Sequence, residues 1–222
     1  SETELTRYEE EALKYYATIV ASFSTFVKRG LKKLEGNEIN IIAPSHGPIW
    51  REHPERIIQL YSDYASYMNG LAREEITLIW STMYGMTGSA VDAVIQGLES
   101  EGVQVNVHQV PGSYAKEILA DAWKSTGIIL GMPTYEYKIF PPMAAIIDDM
   151  GRKKVTDKLA FRFGSYGWSG GAQRELDFLM EHHRMKWRFM DSVEFHGMPT
   201  ESDLELIKER SAELARQVKK AV

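Results

Sequence analysis

Ser81, Thr82 and Thr87 stand in the run Trp80-Ser81-Thr82-Met83-Tyr84-Gly85-Met86-Thr87-Gly88-Ser89, small and hydroxyl residues between an apolar run and a helix-like one. A loop of this kind holds an anion, because backbone N–H groups and the positive end of the helix dipole converge on it. No Lys follows a Gly here, so the Gly-Lys-Ser/Thr ending of a triphosphate loop is absent. The Gly-x-Gly-x-x-Gly dinucleotide fingerprint is absent too. A neutral loop built from Ser81, Thr82, Met83, Tyr84, Gly85, Met86 and Thr87 suits the single terminal phosphate of FMN. The same hydroxyls also read as turn and cap residues, and Ser89-x-x-Asp92 resembles a capping box. The two readings coexist, since an ordered helix start is what binds a phosphate.

Two later loops supply what a flat heteroaromatic ring would need. Pro133-Thr134-Tyr135-Glu136-Tyr137 follows the apolar run 127–132, and Ser165-Tyr166-Gly167-Trp168-Ser169-Gly170 follows the run 159–163. Tyr135 and Trp168 sit in predicted loops, which favours stacking on a ligand over burial in a core. Glu136 would lower a flavin's potential if it faced the ring; an exposed loop Glu is otherwise solvated.

The elements that position these loops are legible as alternating strand and helix. Strands are expected near 75–80, 103–110, 127–132, 158–165 and 187–195, with helices near 88–101, 113–125, 140–151, 169–184 and 201–220. This pattern predicts an α/β fold, a flavodoxin-like doubly wound five-stranded parallel sheet of order 2-1-3-4-5. In such a sheet ligands lie outside the carboxyl ends of the strands, where all three loops fall.

Upstream, residues Glu4 to Leu34 read as one long helix that Gly36-Asn37 stops. Ile39-Asn40-Ile41-Ile42-Ala43 reads as a short strand, and Pro54 opens a helix to about Met68. Two helices and a strand without a partner make an incomplete domain, so this segment is expected to belong to a larger layered one. The boundary falls at Asn69-Gly70-Leu71-Ala72-Arg73, dividing the chain into 1–70 and 71–222.

Composition narrows the function. A net charge of −5 argues against nucleic acid as a partner, since phosphate backbones need concentrated Lys and Arg. The clusters Lys28-Arg29, Lys32-Lys33 and Arg152-Lys153-Lys154 read as solvated helix ends. The chain has no Cys, which excludes thiolate catalysis and Cys-ligated metals within it and fits a reducing cytoplasm. No apolar run reaches the roughly 18 residues of a membrane span. The chain starts on Ser1, which points to a processed or excised piece. Adjacent His182 and His183 read as surface residues, and Asp148-Asp149 as water-facing. No Gly-x-Ser-x-Gly elbow is present for hydrolysis.

Four motifs in order resemble those of flavodiiron proteins: Ala43-Pro44-Ser45-His46-Gly47-Pro48-Ile49-Trp50, the 81–87 loop, Pro133-Thr134-Tyr135, and the run from Gly164 to Ala172. The resemblance implies that 71–222 is a flavodoxin-like FMN-binding domain and 1–70 the last segment of a metallo-β-lactamase-like diiron domain. His46 would then be the final iron-ligating histidine. The family's main ligand signature, His-x-Glu-x-Asp-His, is missing from this chain, so the chain alone should hold no iron there.

By that resemblance the chain serves electron transfer from FMN to a non-haem diiron centre that reduces dioxygen or nitric oxide. The electron donor would be rubredoxin or reduced coenzyme F420. A further, ligand-bearing N-terminal part would be the partner, in a head-to-tail homodimer or higher oligomer. A stand-alone flavodoxin-like electron carrier is the alternative, and a flavin or quinone reductase a third reading.

Overall fold

The computed structural model describes residues 2–70 and 72–222. Ser1 and Leu71 lie outside the described residues, so the expected boundary is seen only at its flanks. In chain order the elements are α1 (Glu2–Tyr15), α2 (Ser24–Leu34), α3 (Pro54–Ser66), β1 (Arg73–Trp80), α4 (Val91–Ser100) and β2 (Gln104–Gln109). There follow α5 (Ala115–Lys124), β3 (Ser125–Gly131), β4 (Thr134–Tyr135), β5 (Lys138–Ile139), α6 (Pro141–Arg152) and β6 (Leu159–Tyr166). The chain closes with α7 (Ala172–His183), β7 (Arg188–Phe189), β8 (Val193–His196) and α8 (Glu201–Ala221).

The main sheet runs β2-β1-β3-β6, with β7 and β8 both pairing the far edge of β6, and every pairing is parallel. This is the expected doubly wound order, its fifth strand split into two short pieces. Alternation along each strand divides the core into two layers. Ile76, Leu78, Ile129, Phe161 and Phe163 face α4 and α8, whereas Ile79, Ile128, Leu130 and Ala160 face α5, α6 and α7. The full burial of β3 fits a central strand covered on both faces. Gly97 allows α8 to close on α4, because any Cβ there would overlap the Lys208 carbonyl and Ser211. Thr200 and Asp203 cap the start of α8 reciprocally.

The N-terminal segment departs from the sequence reading in two places. The expected single helix over 4–34 is broken by a π-turn at Tyr16–Val20 and a 3₁₀ turn at Ala21–Phe23. The wider turn adds a residue and resets the helix phase, so that Tyr16, Ala17, Ala21 and Ser24 all face inward. Tyr16 and Ser24 hydroxyls meet there at 2.8 Å. The expected strand at 39–43 does not form; only an isolated bridge joins Ile42 to Trp50. Among the described residues no second strand lies beside it, and a lone strand leaves its backbone unpaired.

The segment is nonetheless anchored. Leu13, Tyr16, Leu60 and Tyr64 share a core with Ile118 and Trp123 of α5, and the Trp123 indole donates to the Tyr64 carbonyl at 2.9 Å. Its outer surface carries exposed Ile19, Phe23, Phe26, Ile41 and Ile49. Asp148 and His183 correct their reading as solvated groups, for they hydrogen-bond at 2.8 Å between α6 and α7. Arg152 adds a 2.6 Å bond to the same carboxylate, and together they hold it below the usual carboxylate range.

Candidate functional site

Three loops leave the carboxyl ends of β1, β3 and β6, and the backbone fastens them together. The Ser81 N–H donates to the Gly131 carbonyl at 2.8 Å, and the Met132 N–H to the Phe163 carbonyl at 2.9 Å. The first loop closes on itself: Thr82 Oγ1 accepts the Gly85 N–H at 3.0 Å, and the Ser89 N–H reaches the Gly85 carbonyl at 2.9 Å. Gly85 makes that turn possible at φ +89°, a conformation costly for side-chain-bearing residues. Thr87 is fully buried and acts as a strut to the third loop, its Oγ1 lying 2.8 Å from Ser165 Oγ and accepting the Ser165 N–H at 3.3 Å. The expected capping box at Ser89 and Asp92 is absent: Ser89 Oγ donates to the Met86 carbonyl, and no side chain caps α4.

The second loop is a tight hairpin, β4 against β5, with Glu136 and Tyr137 at its tip and φ values of 47° and 64°. It is pinned to α7, because Glu175 Oε2 accepts the Ile139 N–H at 2.6 Å. The Tyr137 carbonyl packs so close to Gly171 that no side chain fits there.

Between the loops opens a cleft of about 270 Å³. Thr82, Met83, Tyr84 and Met86 line it from the first loop, Pro133 and Thr134 from the second, and Ser165, Tyr166 and Gly167 from the third. Ser81 lies buried at the adjoining strand end, and Gly85 is exposed. Tyr135, Glu136, Trp168, Ser169 and Gly170 are exposed on the second and third loops, outside the cleft lining. Trp168 is 98% exposed, so its indole is free to cover a ligand. His196 and Gly197, at the carboxyl end of β8, also line the cleft and were not anticipated. The rule that placed three strand ends at the site applies equally to the last strand, and would have found them.

Two polar atoms at the site are unsatisfied: Ser81 Oγ and Thr134 Oγ1 are buried with no hydrogen-bond partner. Buried hydroxyls are ordinarily paired; Thr134 is a lining residue of the cleft, whereas Ser81 is buried at the strand end beside it. Donor loop, orphan hydroxyls and free aromatic planes together match a phosphorylated flavin.

His46 lies elsewhere, exposed beside an apolar groove bordered by Tyr8, Leu31, Ile42 and Trp50, with its ring 5.6 Å from Tyr15. Among the described residues no three His, Cys, Asp or Glu groups converge to hold a metal. The described residues by themselves therefore do not fit a diiron centre.

No protein-family model matches the chain. It is 31% identical over 97% of its length to the anaerobic nitric oxide reductase flavorubredoxin of Escherichia coli, of which it covers 45%. The chain thus spans about half the length of the curated relatives it matches. A variant of the flavo di-iron protein of Thermotoga maritima superposes on 98% of the chain with TM-score 0.85 and 26% identity, and 54% of that protein is covered. A flavodoxin from the domain Archaea matches 65% of this chain over 99% of its own, with TM-score 0.58 and 26% identity. Taken with the sheet order and the three-loop cleft, these likenesses show that the chain corresponds to the C-terminal, flavodoxin-like part of flavodiiron proteins.

Proposed function

We propose that this chain binds FMN in the three-loop cleft and serves electron transfer to a non-haem diiron centre held by a separate, ligand-bearing part. The orphan hydroxyls of Ser81 and Thr134 carry the reading, since they are buried donors that lack an acceptor. The 81–87 loop would hold the phosphate through backbone N–H groups and the start of α4. Tyr84, Tyr135 and Trp168 would cover the ring and exclude water from its face. Bound FMN supplies the redox chemistry, and the protein supplies binding, orientation and electrostatics.

The partner assignments rest on the likeness to flavodiiron proteins. A rubredoxin-type donor or reduced coenzyme F420 would deliver electrons, and dioxygen or nitric oxide would be reduced at iron. The exposed apolar residues of the N-terminal segment support its place at the end of a metallo-β-lactamase-like domain, with 1–70 and 71–222 as the division. A head-to-tail dimer would bring the flavin of one subunit to the iron of another. The second reading, a flavodoxin-like carrier without iron chemistry, is favoured by the lack of a metal-ligand cluster among the described residues.

The first test is the visible spectrum of the purified chain, followed by release of any chromophore. Near-stoichiometric FMN is the expected result; failure to take up FMN on incubation overturns the proposal. Adding the ligand-bearing part with ferrous iron separates the two readings, because only the first predicts turnover of dioxygen or nitric oxide.

A further inference from the structure

We propose that His196 is the specificity-determining residue that makes this cleft prefer a phosphorylated flavin over the unphosphorylated one. The inference rests on the FMN reading and deepens it. The loop side chains lining the cleft, those of Thr82, Met83, Tyr84, Met86, Thr134 and Tyr166 among them, are neutral. His196 is the one lining residue whose side chain can carry positive charge. A terminal phosphate brings about −1.5 to −2 charges at neutral pH, and a chain of net charge −5 offers it no favourable long-range field. The backbone N–H groups of the 81–87 loop answer part of that charge, and His196 is the one side chain lining the cleft that could add to them.

The backbone sets that side chain at the cleft and leaves it uncommitted. His196 is the last residue of β8, in register with Tyr166, and the next N–H, of Gly197, donates to the Tyr166 carbonyl at 2.9 Å. Its ring meets the Tyr166 ring at 5.5 Å and 67°, an edge-on contact that fixes the approach of the imidazole. Among the described residues both ring nitrogens lack a hydrogen-bond or ion-pair partner. The carboxylate that could claim them is engaged: Glu194, two residues back on the same strand face, pairs with the buried Arg162 guanidinium at 2.8 Å. An imidazolium–phosphate bond is charge-assisted and correspondingly strong.

The test is fluorescence titration of the flavin-free full chain with FMN and with riboflavin, for the wild type, His196→Gln and His196→Lys. Thermal melting confirms that each variant folds, as expected for an exposed position. His196→Gln should weaken FMN roughly tenfold and riboflavin less than about twofold, while His196→Lys restores the preference. Unchanged FMN affinity in His196→Gln, or equal loss for both flavins, overturns the role of His196 and leaves the FMN site standing. A folded wild type that takes neither flavin overturns the FMN reading, and this proposal with it.

Discussion

Thr134 Oγ1 and Ser81 Oγ are buried hydroxyls without partners, and a buried unpaired polar group costs about 1–3 kcal/mol. On the proposed FMN reading that cost falls on the flavin-free protein and would be relieved when an acceptor arrives. Thr134→Val keeps the shape and removes the orphan. We expect the flavin-free variant to melt at or above the wild-type temperature, while FMN affinity falls about tenfold, read by calorimetric titration. A parallel fall in both would make Thr134 a packing residue. At this scale loop position was legible from residue type: Thr82 lines the cleft, and Trp168 stands exposed on the third loop outside that lining. The sequence was least legible at His196, which closes a run of alternating Val193 and Phe195 and has the look of a strand end. Thr87 was read as a ligand contact; its burial and its bond to Ser165 make it first a strut between loops, a link of 78 residues that no local pattern encodes.

Elements with strong periodicity and a partner on each side were readable to within a few residues, from the wholly buried β3 to the capped α8. The failures have a common physical cause, for they depend on what packs alongside. Residues 39–43 have strand-like composition but no neighbouring strand, and the π-turn at Tyr16–Val20 follows from the demand that Tyr16 reach Ser24 and Tyr64. The β4–β5 hairpin is a further case. Its two-residue turn requires φ > 0 at both central positions, where Asn-Gly is the natural choice, yet Glu136 and Tyr137 stand there. The left-handed conformation costs a side-chain-bearing residue about 1–2 kcal/mol. Its attachment through Glu175 to α7 holds the strained turn in place. Replacing the pair by Asn-Gly should stabilise the protein by about 1 kcal/mol and raise its melting temperature by about 2–4 °C, seen by scanning calorimetry. A lowered melting temperature would mean that the two side chains contribute packing beyond their backbone cost.

At the scale of the whole molecule the helical segment and the sheet meet at Lys158, fully buried below the sheet and opposite the cleft. Its ammonium donates to the carbonyls of Gly70 at 3.2 Å, Trp123 at 3.0 Å and Ser125 at 2.5 Å, so one side chain ties the boundary residue, the end of α5 and the start of β3. Desolvation pushes this group down to about 7, against the partial support of Asp157, from about 10.4 in an unfolded chain. Between pH 7 and 10 the unfolded state therefore binds the proton that the folded state gives up. Stability must rise with pH in that window, by up to about 1.4 kcal/mol per unit. Above pH 10 the sign reverses: burial pushes Tyr16 up to about 12 and raises Tyr64 as well, so the folded state then holds protons that the unfolded chain releases. Urea unfolding of the whole chain should show stability climbing from pH 7 to 9 and falling beyond 10. Lys158→Met should flatten the climb and leave the fall. If the two proteins run parallel from pH 7 to 9, the ammonium keeps its proton throughout, and the three carbonyls outweigh the cost of burial.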